Sequence, residues 1–367
     1  MEDMTKVGIV GCGNICGIYV KNLSGLFETV EVAAVADMLS ERAAAVAQEH
    51  PALSVLTVEE MLASGDIDII LNITPPRAHA DVAMAAIKAK KHVYNEKPLA
   101  ISREAGAGML CAAGDAGVAV GCAPDTFLGA GYQTCRKLID DGWIGTPVAA
   151  TAFMTGHGPE GWHPDPQFFY QSGGGPMFDM GPYYLTALVS LLGPARRVTG
   201  SARISFARRT ITSKPLFGKV VEVEVPTHVT GAVDFASGAV ATIITSFDVW
   251  AANLPRLEIY GSEGSLCCPD PNTFGGPVRM MRAGGEWAEV PLSHGYAENS
   301  RGLGVADMAS ALRTGRAHRA SGELCRHVLD IMHAFQDASD SATHSQLETT
   351  APRPSALPLG LVKGRVD

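Results

Sequence analysis

Residues 6–17 read Lys6-Val7-Gly8-Ile9-Val10-Gly11-Cys12-Gly13-Asn14-Ile15-Cys16-Gly17, an apolar strand, a turn built on two glycines, and the start of a helix running to about Leu26. That order is the context a dinucleotide-binding turn requires. Gly11 permits the tight turn. Gly13 has no side chain to obstruct a pyrophosphate, whose charge the N-terminus of the following helix favours, with Asn14 and Ile15 completing the turn. Cys16 occupies the third position of the G-x-G-x-x-G pattern and is small enough for close helix–strand packing. Asp37 closes the next apolar run, Val30–Ala36. Its carboxylate suits the adenosine ribose hydroxyls and repels a 2′-phosphate, which favours NAD, while Arg42 nearby admits NADP. A purely structural reading, a Gly-rich turn with Asp37 as a helix cap, stands beside this one. Strand, turn, helix and terminal Asp together weigh against it.

Working outward, apolar runs alternate with helix-like segments. Lys6–Val10, Val30–Ala36, Ile67–Ile73, His92–Tyr94 and Val118–Cys122 read as strands, and Ser40–Glu49, Arg77–Ala89 and Arg103–Ala113 as helices. Continuous apolar strands between helices mark a parallel sheet covered on both faces, hence an α/β, doubly wound Rossmann domain over residues 1–124. Beyond Pro124 the pattern changes. A helix is expected over Phe127–Asp140, then extended segments at Pro147–Met154, Arg197–Phe206, His228–Phe235, Ala239–Phe247, Arg256–Tyr260 and Val278–Arg282. Ala236-Ser237-Gly238 and Gly261-Ser262-Glu263-Gly264 look like hairpin turns between such strands. One late helix, about Gly322–Ser339, completes an α+β domain over residues 125–367 with a mostly antiparallel sheet. The Pro-rich stretch from Thr349 to Pro358 is expected to wrap the surface.

The length of 367 residues suits two domains, and 46% hydrophobic with 18% charged residues is a globular composition. Lys plus Arg number 29 against 38 Asp plus Glu, a net charge of −9, which argues against nucleic acid or an anionic membrane as partner. The opening Met1–Lys6 lacks the basic start and apolar core of a signal peptide, and no run reaches the roughly 18 apolar residues of a membrane span. The eight cysteines show no zinc-type spacing, so reduced thiols, a cytoplasmic location and no metal are expected.

Two further motifs fall at strand ends, where a doubly wound sheet binds ligands: Thr74-Pro75-Pro76-x-x-His79 and Glu96-Lys97-Pro98-Leu99. Pro98 holds Lys97 extended and is a candidate cis proline. With Gly11–Ile15, with Gly173-Gly174-Gly175-Pro176-Met177-Phe178-Asp179-Met180-Gly181, and with Leu257–Gly264, these motifs make the chain resemble the glucose–fructose oxidoreductase / inositol dehydrogenase / MocA family over nearly its whole length. The resemblance implies a Rossmann domain plus an open-faced sheet domain. It also implies hydride transfer between NAD(P) and a hydroxyl carbon of a sugar or cyclitol. It carries a catalytic lysine onto Lys97 and an active-site aspartate onto Asp179, and it places the cofactor against Thr74, Pro75, Pro76, His79, Glu96 and Lys97, with a first-turn helix residue bonded to backbone as the plainer reading of His79. Where the family has Asp-x-x-x-His, this chain has Tyr183. If helical geometry continues through Gly181-Pro182, Asp179 and Tyr183 share a helix face at i and i+4.

Oxidising an alcohol removes a hydride and a proton. The cofactor takes the first and the protein must take the second. A lysine ammonium starts near about 10.4, and desolvation or a cationic nicotinamide lowers it, so Lys97 suits the base. Tyr183 is expected to share the proton transfer or orient the substrate, and Asp179 to orient Lys97 or accept a substrate hydroxyl. Packing for Tyr183 and helix capping for Asp179 are the plainer readings. His157, Trp162 and His163 lie in a Gly/Pro-rich loop and are candidates for substrate contact, Trp162 by stacking on a sugar face, with loop packing equally open. His327 is read as a core or surface residue. Two other functions stay open: a glycoside-cleaving or epimerising enzyme working through a transient ketone, and a dinucleotide sensor without catalysis. An exposed sheet face is expected to be covered in a homodimer or homotetramer.

Overall fold

The computed structural model describes residues 4–367; Met1–Asp3, read above for their charge, lie outside the described residues. The chain divides into two compact units. One comprises the chain up to Gly129 together with Ser293–Arg326 and Pro354–Asp367, and the other comprises Ala130–Leu292 and His327–Arg353.

In the first unit the described residues form a six-stranded parallel sheet of β1 (Thr5–Val10), β2 (Val30–Ala36), β3 (Ser54–Val55), β4 (Ile69–Asn72), β5 (His92–Asn95) and β6 (Val120–Cys122). The strand order is β3-β2-β1-β4-β5-β6. It reverses between β1 and β4, where such a sheet opens a ligand crevice beyond the strands' C-terminal ends. Val7, Ile9, Ile69, Ile70, Leu71 and Val93 are fully buried, as parallel strands sandwiched between helices must be. The crossovers are α1 (Cys16–Gly25), α2 (Ser40–Glu49), α3 (Val58–Ala63), α4 (His79–Lys88) and α5 (Arg103–Ala116). The short α3 was not expected, although its signal is in the sequence. Thr57 accepts the Glu60 N–H while Glu60 returns a bond to the Thr57 N–H, a complete capping box.

The return of residues 293–326 and 354–367 to this unit differs from a single division after residue 124, and side-chain bonds account for it. Asn22 donates to the carbonyls of Asn299 and Arg301 at 2.9 and 2.8 Å. The buried Asp125 carboxylate accepts the Gly302 and Gly304 N–H groups, both at 3.0 Å, at the start of a helix over Leu303–Thr314. The stretch after Thr349 has no regular secondary structure and runs along the surface, with Ala351, Pro354 and Leu357 buried among exposed neighbours.

The expected helix over Phe127–Asp140 is interrupted where the first unit ends at Gly129. A short 3-10 turn at Thr126–Leu128 ends at Gly129, whose extended backbone (φ −66°, ψ 159°) precedes α6 (Ala130–Asp140). In the second unit the described residues form a nine-stranded sheet. Its strands are β7 (Pro147–Thr155), β8 (Ala195–Arg203), β11 (His228–Phe235), β12 (Val240–Ser246), β13 (Leu257–Gly261), β14 (Gly264–Cys268), β15 (Val278–Arg282), β16 (Ala288–Val290) and β17 (Ser345–Gln346). A separate hairpin joins β9 (Arg208–Thr210) to β10 (Val220–Glu222). Every neighbouring pair of the large sheet is antiparallel except β12 with β7. Both expected hairpin turns join paired strands, β11 to β12 and β13 to β14. Of the helices α7 (Gly175–Asp179) and α8 (Gly181–Leu192), only a helical turn through Gly181-Pro182 was anticipated. All of α8 is buried, so it has no polar face for a periodicity to reveal.

His327, fully buried in this unit, accepts the Ala195 N–H at Nε2 (3.0 Å) and meets the Thr349 hydroxyl at Nδ1 (3.0 Å). Burial pushes its pKa down to about 4. The unfolded chain therefore binds a proton that the folded one refuses. Stability from this group is complete above the ordinary histidine value and is lost, by about 3 kcal/mol, as pH falls from about 6.5 to 4. Asp125, raised by burial to about 6, works in the opposite sense. The informative quantity is therefore the melting-temperature gap between wild type and His327→Gln. That gap is expected to narrow as pH drops from 7 to 4.5; a constant gap contradicts the assignment.

Candidate active site

β4 and β5 end in register at Asn72 and Asn95, both fully buried. A carboxamide has donors at one end and an acceptor at the other, and here both ends are used. Asn72 Nδ2 donates to Asn95 Oδ1 and to the His79 carbonyl, each at 3.0 Å. Asn72 Oδ1 accepts the Thr74 hydroxyl at 2.7 Å and its N–H at 3.3 Å. Asn95 Nδ2 donates to the Leu99 carbonyl at 3.1 Å. The Thr74-Pro75-Pro76 loop and the Glu96-Lys97-Pro98 turn are thereby joined at the crevice edge.

Glu96 is buried and holds its own turn. Its Oε1 accepts the Tyr19 hydroxyl at 2.7 Å and its Oε2 the Lys97 N–H at 2.9 Å. Burial and the Glu96 charge push Tyr19 well above an ordinary phenol, so it stays a donor. Lys97 itself is half-buried, and the bond to Pro98 is cis. His79 is 1% exposed, with Nδ1 2.7 Å from the Pro98 carbonyl and Nε2 2.8 Å from the Thr74 carbonyl. Burial lowers its pKa, against the pull of the two carbonyls and Glu96. A neutral ring donates to one carbonyl, and a second proton serves both. With both nitrogens engaged, His79 presents neither to a ligand.

Across the switch point, Gly11 adopts φ +105°, and a Cβ there would lie 2.8 Å from the Ile73 carbonyl oxygen. Only glycine fits this close approach. At Gly13 a Cβ would meet nothing within 4 Å, so the turn faces open space. Ile15, at the N-cap of α1, makes no side-chain capping bond, and no acidic residue sits in the first turn; the Cys16 N–H turns back to the Gly13 carbonyl (3.0 Å), and the helix dipole favours an anion at this end. Asp37 fixes the turn from the far side. Its Oδ2 accepts the Cys12 N–H at 2.7 Å and its Oδ1 the Leu39 N–H at 2.9 Å; it does not cap α2, whose N-cap is Leu39 with no side-chain bond. Arg42 is exposed on α2. A glycine cradle, an uncapped helix start and a carboxylate at the end of β2 fit a nicotinamide dinucleotide.

In the second unit, α7 ends at Asp179 and α8 starts at Gly181, with Met180 (φ −110°) serving both. One residue, itself right-handed helical in backbone (ψ −26°), separates Asp179 from the helix of Tyr183, and Gly181-Pro182 are helical as the i, i+4 reading requires. Tyr183 is buried in the first turn of α8, whereas Asp179 is half-buried. The His157 ring stacks on Trp250 with centroids 3.3 Å apart. His163 accepts the Asp165 N–H at Nδ1 (3.0 Å) and packs edge-on against Trp162, Phe168 and Phe169. Trp162 is 68% exposed. A buried ionic knot anchors this loop. Arg209 donates to Glu160 at 2.6 Å and to Asp248, and Tyr170 donates to Glu160. Sequence reasoning missed Tyr19, Asn72 and Asn95, and likewise Glu160, Arg209 and Trp250. A buried asparagine ending each of two apolar strands was a usable signal; the Glu160 partners come from distant segments and gave none.

Residues 5–123 match the oxidoreductase family with an NAD-binding Rossmann fold, and residues 132–267 match the GFO/IDH/MocA C-terminal domain. Among relatives, 1,5-anhydro-D-fructose reductase of Ensifer adhaerens is 30% identical over 298 residues, 79% of this chain and 83% of that protein. Inositol 2-dehydrogenase 3 of Saccharopolyspora erythraea is 34% identical over 151 residues, 40% of this chain and 43% of the relative. Among solved structures, an NAD-binding oxidoreductase from Klebsiella pneumoniae superposes with a TM-score of 0.82 at 21% identity, covering 94% of this chain and 99% of that one. Levoglucosan dehydrogenase in complex with NADH gives 0.79 at 20% identity, covering 95% and 100%. The chain belongs to the GFO/IDH/MocA oxidoreductase family.

Two glycine variants separate folding from cofactor binding. Gly13→Val is expected to melt within about 1 kcal/mol of wild type, because the added atoms enter open space, and its NADH Kd is expected to rise at least about tenfold if that space takes the pyrophosphate. Gly11→Ala is expected to lose stability as well, by about 1–3 kcal/mol, through its positive φ and the Ile73 contact. Fluorescence titration with NADH and thermal melts read both.

Proposed function

We propose that this protein is a dehydrogenase or reductase that moves a hydride between NAD and a secondary hydroxyl carbon of a sugar, glycoside or cyclitol. The observation that carries the reading is the Lys97 turn, pinned through Glu96, Asn72 and Asn95 at the same sheet edge as the Gly11 turn. The substrates named for the relatives, an anhydro-fructose and inositols, are cyclic polyhydroxylated compounds, which supports the substrate class.

NAD, when bound, accepts or returns the hydride. The protein's task is the accompanying proton. Lys97 Nζ is assigned to take it from the substrate hydroxyl during oxidation and to return it during reduction. Gly11, Gly13, Asn14 and Ile15 are assigned to the pyrophosphate, Asp37 to the adenosine ribose, and Thr74, Pro75 and Pro76 to the nicotinamide side. Asp37 favours NAD over NADP, with Arg42 the residue that would admit a 2′-phosphate. Asp179 and Tyr183 are proposed to bind substrate hydroxyls, Tyr183 also as a partner in proton transfer. Trp162 is proposed to stack on a sugar face, with His157 and His163 shaping the loop that carries it.

The free state of all eight cysteines supports a cytoplasmic location. Along β12, exposed Val240 and Thr242 alternate with buried Ala241 and Ile243, which supports a homodimer or homotetramer that covers the open sheet face. No helix among the described residues is long and apolar enough to cross a membrane.

Following NADH absorbance with a panel of sugars and cyclitols is expected to show turnover of at least one cyclic polyol. Lys97→Met is expected to keep the NADH Kd within about threefold and to lose about 100-fold or more in kcat, the range of general acid–base catalysis. Wild-type turnover in that variant contradicts the assignment. Altered sugar products without net NADH would point instead to epimerisation or glycoside cleavage.

A further inference from the structure

We propose that His79 is a positioning residue for Lys97, its ring tying the Pro98 carbonyl, next to the lysine in the chain, to the Thr74 carbonyl of the neighbouring loop. The inference rests on the reading of Lys97 as the proton-transfer group. His79 is 1% exposed, and both ring nitrogens are engaged, Nδ1 with Pro98 at 2.7 Å and Nε2 with Thr74 at 2.8 Å. A histidine so placed offers no nitrogen to cofactor or substrate. It acts through the two backbone segments it touches.

Those segments are the ones the site depends on. Thr74 follows β4 and its hydroxyl is held by Asn72; Lys97-Pro98 follows β5, with the Lys97 N–H held by Glu96. The asparagine pair fixes the roots of both loops at the strand ends. His79 bridges them further out, beside the lysine. The chain also fastens the bridge from below, because the His79 carbonyl accepts from Asn72. The ring therefore stands between backbone carbonyls that are 19 and 5 residues away in the chain. The charged groups that face the ring are Glu96 and Lys97. Without the imidazole, which donates to one of the two carbonyls when neutral and to both when protonated, the Pro98 and Thr74 segments lose their link inside a buried site, and the turn gains freedom while the sheet beneath keeps its own bonds.

The test uses the full chain and two variants, His79→Gly and His79→Gln. Amide hydrogen exchange followed by mass spectrometry is expected to speed up at least tenfold in peptides covering residues 73–80 and 95–100 in His79→Gly. The peptide covering β1 should stay within twofold of wild type. Added imidazole should restore most of the protection, and His79→Gln, which keeps one donor, should fall between. Single-turnover hydride transfer from NADH, measured with 1,5-anhydro-D-fructose, supplies a double-mutant cycle. If His79 acts through Lys97, adding His79→Gly to Lys97→Met costs less than twofold further, whereas an independent structural role multiplies the two losses. Unchanged exchange of residues 95–100 in both variants overturns the proposal, as does exchange that rises equally in β1. Turnover retained in Lys97→Met alone would overturn the reading of Lys97, and the exchange data would still decide whether His79 holds the turn.

Discussion

Two asparagines on adjacent parallel strands carry the architecture of the candidate site. Asn72 and Asn95 sit opposite one another where β4 and β5 end, and each is fully buried. A buried carboxamide without partners is costly, so the pair has a stable answer only when its neighbours supply groups in the right places. The neighbours are the backbone and hydroxyl of the two loops that leave these strands. The free energy that satisfies the amides is the same free energy that sets the loop conformations. The Thr74 loop and the Lys97 turn inherit their geometry from a sheet that would exist without them.

The Gly11 turn is built on a different principle. Its shape comes from a close approach to Ile73 that excludes a side chain, and from Asp37 gathering the Cys12 and Leu39 N–H groups. Steric exclusion fixes one wall and a carboxylate the other, leaving the helix start open. The second unit uses ions for a comparable purpose. Arg209 bonds Glu160 and Asp248 and lies over the Tyr170 ring, with both Arg209 and Glu160 nearly free of solvent. Removing one partner of such a cluster leaves an uncompensated buried charge, a loss of about 3–5 kcal/mol. The loop bearing Trp162 is held at its base by that cluster and stays exposed at its tip.

Much of this was legible in the sequence because it is local. The span Val30–Ala36, the helix Ser40–Glu49 and the strands His228–Phe235 and Val278–Arg282 have the bounds their composition suggests. The Gly turn, Asp37 and the Lys97 motif could be read because each announces itself within a few residues. What escaped was long-range or lacked contrast. Helix α8 is buried on all sides and shows no polar stripe. The turn at Met180, where α7 gives way to α8, is a backbone detail that an i, i+4 spacing does not encode. The return of residues 293–326 to the first unit depends on Asn22 and Asp125 meeting partners more than 170 positions away. For His79 the backbone-bonded reading left open beside the cofactor one matches its ring contacts, but the partner at Pro98, 19 residues on, was not foreseeable from the motif.

The central claim is that the Gly11 turn and the Lys97 turn serve one hydride exchange with a cyclic polyol. Deuterium tracing tests it most directly. With a sugar or cyclitol deuterated at its carbinol carbons and with NAD, the account predicts NADH carrying one deuterium at nicotinamide C4 on a single face, with the matching ketone as product. NADH without deuterium, or altered sugar with no labelled cofactor at any time in the reaction, would contradict it.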